Sequence, residues 1–155
     1  MLQISRRADY ATRIVLELAL QAGDEPMPSL TLARRAAVPR AFLYKVIGDL
    51  VRAGLVRSTK GPHGGLSLAR EPSQINMRQV IEAADGPVCL NNCLIRPREC
   101  PRDRVCPGHS FWGSVQASLL EQLEAGTLDL LVLEAHRLRE QPRNEPIPYV
   151  FQVNL

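Results

Sequence analysis

The sequence predicts a mainly α-helical protein with one small β-hairpin, and three features of the chain support this fold class. Apolar residues recur at helical spacing in six separate stretches. Between residues 55 and 69 that period changes to two short extended segments around a glycine-rich turn. The 155 residues are 45% hydrophobic and 23% charged, a composition typical of globular proteins rather than disordered ones.

The first seventy residues are predicted to form three helices followed by the hairpin. Apolar periodicity marks the helices, and Gly or Pro separates them from one another. Two short helices joined by a tight turn, with a basic hairpin after them, are typical of a winged helix-turn-helix. The predicted elements are a helix over residues 5–22, a short helix capped by Ser29 or Thr31, a helix opened by Pro39 or Arg40 and ended by Gly54, and strands over residues 55–59 and 66–69.

The second half is predicted to hold three further helices and a cysteine-rich loop. One helix spans residues 73–84, a long one begins at Phe111, and Thr127 can cap a last one. The long helix carries an apolar stripe that we expect to pack in a dimer. The predicted divisions are a DNA-binding domain over residues 1–86, the loop over 87–110, dimerisation helices over 111–138 and a proline-containing tail over 139–155.

Charge is distributed unevenly along the chain. Residues 1–70 hold eleven Lys/Arg and five Asp/Glu, a net charge of +6, whereas residues 71–155 hold eight and eleven, a net charge of −3. The basic half is therefore the expected nucleic-acid face. No apolar run reaches the length of a membrane span and no signal peptide is evident, so we expect a cytoplasmic protein without membrane contact.

All four cysteines lie between residues 89 and 106, and His109 follows them. Thiols stay reduced in the cytoplasm, so clustered cysteines there favour metal binding over disulfides. Soft thiolates with a nearby imidazole suit an iron–sulphur cluster or zinc. Zinc is the less favoured metal because the spacing lacks the close cysteine pairs of a zinc knuckle.

Two exposed segments are the predicted contacts with DNA. The amino-terminal end of the third helix would meet base edges in the major groove, as in other helix-turn-helix proteins. The hairpin tip would meet phosphate or the minor groove, where glycines permit close approach of the backbone. The candidate residues are Arg40, Ala41, Phe42, Tyr44 and Lys45 on the helix, and Lys60, Gly61, Pro62 and His63 at the tip; Phe42 is an equal candidate for the core.

Taken in order, these features resemble a known family over about residues 1–138. The segment Ser58-Thr59-Lys60-Gly61-Pro62-His63-Gly64-Gly65-Leu66-Ser67-Leu68-Ala69-Arg70, the cysteine loop and Thr127-Leu128-Asp129-Leu130-Leu131 are similar to the winged-helix iron–sulphur regulators typified by IscR, NsrR and RirA. The resemblance implies a homodimer that binds a palindromic operator on double-stranded DNA. It also implies that operator affinity changes with the state of the cluster.

The same resemblance implies a set of cluster ligands. Cys93, Cys100 and Cys106 match the three thiolates of the family, and Cys89 lies outside that triplet. His109 matches the fourth ligand of the branch that holds a 2Fe–2S cluster, which we favour. Asp9 matches the carboxylate that another branch supplies from the partner subunit to a 4Fe–4S cluster, and it is the alternative fourth ligand.

We therefore predict a transcription regulator that acts as a repressor and is controlled by an iron–sulphur cluster sensing redox state, nitric oxide or iron. The alternative is a winged-helix regulator that senses through bare cysteine thiols or zinc. An enzyme is not expected, because no nucleophile–base set appears and residues 61–65 are too short for a phosphate-binding loop.

Overall fold

The computed structural model describes residues 3–21, 25–96, 99–102 and 105–140, and it confirms the predicted fold class. Helices dominate these residues, and one antiparallel hairpin interrupts them. The elements are α1 (Arg6–Ala19), α2 (Ser29–Arg35), α3 (Arg40–Arg52), β1 (Val56–Thr59), β2 (Gly65–Leu68), a 3-10 turn (Pro72–Gln74), α4 (Met77–Asp85), α5 (Asn92–Ile95), α6 (Pro107–Ala125) and α7 (Leu128–Glu140).

Helix α1 lies at the centre of the molecule. Ser5 caps it, because its Oγ accepts a hydrogen bond of 3.1 Å from the Ala8 N–H. Ile14 and Val15 are wholly buried, and the helix packs against α2, α3, α4, α7 and β2. The apolar residues that recur at helical spacing in α1 therefore contribute to the core of the winged-helix domain.

Prolines rather than side-chain caps precede the two helices of the helix-turn-helix. Pro28 and Pro39 occupy the N-cap positions of α2 and α3, with φ of −58° and −59° and no side-chain capping bond. The prediction that Ser29 or Thr31 caps α2 is therefore wrong. The proline ring sets the φ angle just before each helix, so α2 already includes Ser29 and α3 begins at Arg40.

The hairpin pairs Val56 with Leu68 and Thr59 with Gly65. A third extended residue, Met27, bridges to Leu66 through two backbone hydrogen bonds of 2.8 and 2.9 Å. Met27, in the connection between α1 and α2, is 2% exposed. This bridge anchors the hairpin to the segment that leads into α2.

Two helices begin at different residues from those predicted. Helix α4 begins at Met77 rather than near residue 73, because Asn76 and Gln79 form a reciprocal capping box after the 3-10 turn. Helix α6 begins at Pro107 rather than at Phe111, since Cys106 is its N-cap and proline suits the first helical position. The last helix begins at Leu128, directly after Thr127, as predicted.

The corner between α6 and α7 is joined to the start of α4. The Met77 N–H donates to the Gly126 carbonyl at 3.0 Å, and the Leu128 N–H donates to the Ile75 carbonyl at 2.9 Å. Leu128 is wholly buried in the common core. Residues 141–155 of the predicted tail lie outside the described residues. None of the helices in the described parts of the chain has both the length and the hydropathy needed to cross a bilayer.

Candidate DNA-binding face and cysteine loop

Helix α3 has one buried and one exposed face. Leu43, Val46 and Leu50 are at most 1% exposed and attach the helix to the core. The five residues predicted to contact DNA are all exposed: Arg40, Ala41, Phe42, Tyr44 and Lys45. The helix thus presents aromatic and cationic side chains together, which suits contact with base edges and phosphates.

Phe42 is the member of this group whose role the sequence left open between DNA contact and core. Its side chain is 53% exposed, so it is not part of the core. Its ring lies 5.8 Å, centroid to centroid, from the ring of Tyr10 on α1. Phe42 therefore contacts α1 and still exposes about half of its surface.

The hairpin tip is the second exposed segment, and Lys60, Gly61, Pro62 and His63 are all exposed there. The two glycines that follow the tip, Gly64 and Gly65, lie too close to the protein's own backbone to carry a side chain. A Cβ added at Gly64 would lie 2.3 Å from the Thr59 carbonyl oxygen, and one at Gly65 would lie 2.5 Å from the Met27 carbonyl oxygen. Gly64 and Gly65 are therefore required by the close packing of the chain's own backbone, whether or not DNA approaches.

The cysteines lie on a segment that runs from the end of α4 to the start of α6. All four thiols are unbridged and half-buried. Cys93 is in α5, and Cys106 is the N-cap of α6. Cys93 and Cys100 line one open cavity of about 260 Å³, together with Asn91, Asn92, Arg96 and Glu99.

The predicted fourth ligands occupy different helices. His109 lies half-buried in the first turn of α6, and its backbone N–H donates to the Cys106 carbonyl at 3.1 Å. Asp9 lies in α1, where its carboxylate pairs with Arg13 at 2.8 Å. His109 is therefore next to Cys106 in space as well as in sequence, whereas Asp9 is engaged within its own helix.

The donor types in this segment fit an iron–sulphur cluster or zinc, because three thiols and one imidazole are soft or borderline ligands. Although these donors have the right chemistry, the structure does not bring them together at one point. Within residues 3–21, 25–96, 99–102 and 105–140, no three His, Cys, Asp or Glu side chains lie close enough together to hold a metal ion. Two of the three predicted thiolates thus face one cavity, and Cys106 and His109 are not among the residues that line it.

Gln116 of α6 binds the beginning of this segment. The sequence alone did not predict this role for Gln116. Its side-chain amide donates to the Val88 carbonyl at 2.7 Å, and its Oε1 accepts from the Leu90 N–H at 2.8 Å. Cys89 lies between these two clamped residues, and its thiol donates to the Asn91 carbonyl at 3.0 Å. A single polar residue within the apolar stripe of α6 carried no distinguishing pattern in the sequence.

Polar contacts also join α4 to its neighbours. Arg78 binds Glu124 of α6 and, at 3.2 Å, Glu82 of its own helix. These hydrogen bonds, first that of Glu124 and then that of Glu82, hold the pKa of the Arg78 guanidinium above its ordinary value. At the other end of α4, Ser5 donates to Asp85 at 2.7 Å, so the α1 cap contacts the residue that leads into the cysteine segment.

Comparison with known proteins identifies the family. The sequence profile of the Rrf2 family, described as iron-dependent transcriptional regulators, matches residues 4–134. The chain belongs to the Rrf2 family. Protein rrf2 of Nitratidesulfovibrio vulgaris is 29% identical over 134 residues, which cover 86% of this chain and 89% of that protein.

Two solved structures share the Rrf2 fold with this chain. CymR, described as the global cysteine regulator of B. subtilis, has a TM-score of 0.71 and 29% identity, covering 86% of this chain and 98% of its own. IscR of T. potens has a TM-score of 0.71 and 26% identity, covering 91% and 93% respectively. The family match shows that the protein is a DNA-binding transcription regulator rather than an enzyme.

Proposed function

We propose that this Rrf2-family regulator acts as a homodimer in which each protomer presents α3 and the hairpin tip to one half of a palindromic operator. The single observation that carries the DNA-reading part is the exposed aromatic and cationic face of α3. In helix-turn-helix dimers the two half-sites are centred about 34 Å apart, one helical turn, or a multiple of that distance. Exposed Phe111 and Val115 on α6 support dimerisation through that helix.

The signal that controls DNA binding is proposed to be an iron–sulphur cluster held by Cys93, Cys100, Cys106 and His109, with 2Fe–2S as the favoured type. The donor chemistry of the segment and the description of the family as iron-dependent support this assignment. Asp9 of the partner subunit is the alternative fourth ligand, in a 4Fe–4S site. A bound cluster would supply a centre that reacts to redox state, nitric oxide or iron supply, and repression is the expected direction of control.

A second candidate is a regulator that senses through bare thiols or zinc. The bare-thiol form is favoured by the cavity that Cys93 and Cys100 share, because no three His, Cys, Asp or Glu side chains among the described residues are placed to hold a metal ion. Two neighbouring thiols are sufficient for reversible oxidation. The similarity to a protein described as a global cysteine regulator is consistent with this candidate.

The absorption spectrum and the iron, sulphide and zinc content of anaerobically purified protein test these candidates together. We expect a coloured protein with visible charge-transfer bands and equal amounts of iron and sulphide. A colourless protein with one zinc per chain would favour the zinc alternative. A colourless protein without metal would favour bare thiols, and either colourless result would contradict the cluster assignment.

Single substitutions test the ligand set. Cys93→Ala, Cys100→Ala and Cys106→Ala should each lower the iron content, whereas the matched control Cys89→Ala should retain it. His109→Ala should yield a labile cluster, whereas Asp9→Ala should leave the cluster intact. Full iron retention in Cys100→Ala would refute the thiolate assignment. A cluster that is labile only in Asp9→Ala would show that the fourth ligand is Asp9 of the partner subunit.

Regulation itself is tested by titrating the same duplex with cluster-loaded and cluster-free protein at one salt concentration. A coupling of about 1–3 kcal/mol would change operator affinity roughly 5–150-fold. The duplex is the sequence that the protein enriches from a randomised pool. Equal affinities of the two forms for every enriched duplex would leave the cysteines without a regulatory role on DNA.

A further inference from the structure

Asp49 is the only charged residue that is buried in the described parts of the chain, and it lies on α3. The residue is 3% exposed, among the leucines and valines that attach α3 to the core. Apolar residues flank it on the same helix face, so the sequence pattern alone would assign this position to a hydrophobic side chain. A buried carboxylate requires close partners, because isolated charges are strongly disfavoured away from water.

Two arginines supply those partners from different places in the fold. Arg7 in the first turn of α1 donates from Nε to Oδ2 of Asp49 at 2.7 Å, and a second N–H of Arg7 contacts the same oxygen. Arg52, one turn further along α3, binds Oδ1. Both carboxylate oxygens are thus engaged, and Arg7 connects α3 to a helix 42 residues earlier in the chain.

Stability alone does not explain this arrangement. Replacing a buried ion pair by apolar residues of similar volume is often neutral or stabilising, because desolvation offsets the attraction between the charges. A charge-assisted ion pair with several hydrogen bonds fixes the relative orientation of the two helices that carry it. Contacts between apolar side chains alone are not directional and do not fix that orientation. The contact between Tyr10 and Phe42 holds the other end of α3 on the same helix, so α3 meets α1 at two separate points.

We propose that Asp49 is a positioning residue for operator recognition, which fixes the rotation of α3 on α1 by binding Arg7. This inference rests on the proposed role of α3 as the recognition helix. Tyr44 and Lys45 lie on the face opposite the core, and they can meet base edges in register only if the helix cannot rotate. Asp49 itself would touch no DNA, since it is buried beneath the helix.

The main test replaces the ion pair by apolar residues in the double variant Arg7→Met/Asp49→Leu, which leaves the net charge unchanged. Affinity is measured for the duplex that the wild type enriches from a randomised pool and for a random-sequence duplex, over a series of salt concentrations. We expect the ratio of the two affinities to fall about tenfold, comparable to the loss of one good base contact. Random-sequence affinity and its salt slope should stay unchanged, because they follow net charge and phosphate contacts.

Asp49→Asn provides a second, independent variant that keeps the size of the side chain. It removes one negative charge, so random-sequence affinity should stay equal or rise, while affinity for the enriched duplex should fall. Glu71→Gln is the charge-matched control, because Glu71 is exposed and lies outside α3. In that control both affinities should change together, since only the net charge differs from the wild type.

Three outcomes would overturn the proposal. An unchanged affinity ratio in both variants would remove the positioning role. A parallel fall of both affinities, together with a lower melting temperature, would reduce Asp49 to a structural residue. A salt slope that is lower by about one in the double variant would make Arg7 a phosphate contact. A failure of the proposed function itself would appear separately, as an unchanged affinity ratio in Tyr44→Ala and Lys45→Ala.

Discussion

At the scale of single residues, Ala37 and Gly54 occupy equivalent positions after two different helices. Each follows a C-cap and adopts a left-handed conformation, with φ of 51° for Ala37 and 66° for Gly54. In both cases the next residue donates back to a carbonyl five residues earlier, as Val38 does to Ala33 at 3.0 Å and Leu55 does to Leu50 at 2.9 Å. This hydrogen-bond pattern favours glycine, so alanine in the turn of the helix-turn-helix is strained.

We therefore predict that Ala37→Gly stabilises the protein by about 0.5–1 kcal/mol, because glycine adopts this φ without the Cβ penalty. The matched reverse change, Gly54→Ala, should destabilise it by about 1 kcal/mol. A Cβ at Gly54 would meet nothing within 4 Å, so that cost would be conformational rather than steric. Urea unfolding of both variants measures the two values, and a loss of stability in Ala37→Gly would contradict the argument.

At the scale of elements, one side chain of α6 holds the start of the cysteine segment. Gln116 makes two hydrogen bonds to the backbone on either side of Cys89, and it thereby connects that segment to the helix proposed to form the dimer interface. Asp85, just before this segment, is bound by the cap of α1. The start of the segment is thus held directly by α6, and the last residue of α4 before it is held by the cap of α1.

Gln116→Ala should release the Val88–Leu90 backbone while leaving α6 intact, because alanine is the best helix former. Loss of the two hydrogen bonds corresponds to about 1–2 kcal/mol of local stability. We expect faster hydrogen exchange at the Leu90 amide and faster alkylation of Cys89 in the metal-free protein. Gln122→Ala, an exposed position on the same helix, is the control and should change neither rate. Unchanged exchange at Leu90 in Gln116→Ala would show that the clamp is absent in solution.

At the scale of the whole molecule, exposed apolar side chains lie on both α6 and α7. Phe111 and Val115 of α6 are 60% and 37% exposed, and Leu130 and Leu133 of α7 are 53% and 65% exposed. Contiguous exposed apolar residues of this kind typically mark protein–protein contacts. We propose that α6 forms the dimer interface, because the apolar stripe predicted from the sequence runs along that helix.

Val115→Glu should therefore shift the protein from dimer to monomer in sedimentation velocity, since it places a charge in the proposed interface. Affinity for the enriched duplex should fall with it, because two linked half-sites bind with a higher effective concentration than separate ones. Leu133→Glu is the comparison on α7 and should remain dimeric. A monomeric Leu133→Glu together with a dimeric Val115→Glu would move the interface to α7.

Much of the fold was predictable from the sequence because helices and strands leave periodic local patterns. The stripes of α1 and α3, the Gly54 stop and the turn of the hairpin all depend on residues within a few positions of one another. The starts of α4 and α6 were misplaced for a local reason as well. The capping box of Asn76 and the proline after Cys106 decide where hydrogen bonding begins, and apolar periodicity does not record that choice.

The sequence by itself determined the winged-helix class, the family and the segment that carries the thiols. The order and spacing of the motifs are properties of the linear chain, so they can be recognised before the packing is known. Only the tertiary structure decided that Arg7 reaches Asp49, that Gln116 clamps the backbone around Cys89 and that Cys93 shares a cavity with Cys100. These contacts join residues that are distant in sequence or separated by irregular backbone. They depend on how helices pack and how loops close, and no periodic pattern in the chain encodes those distances.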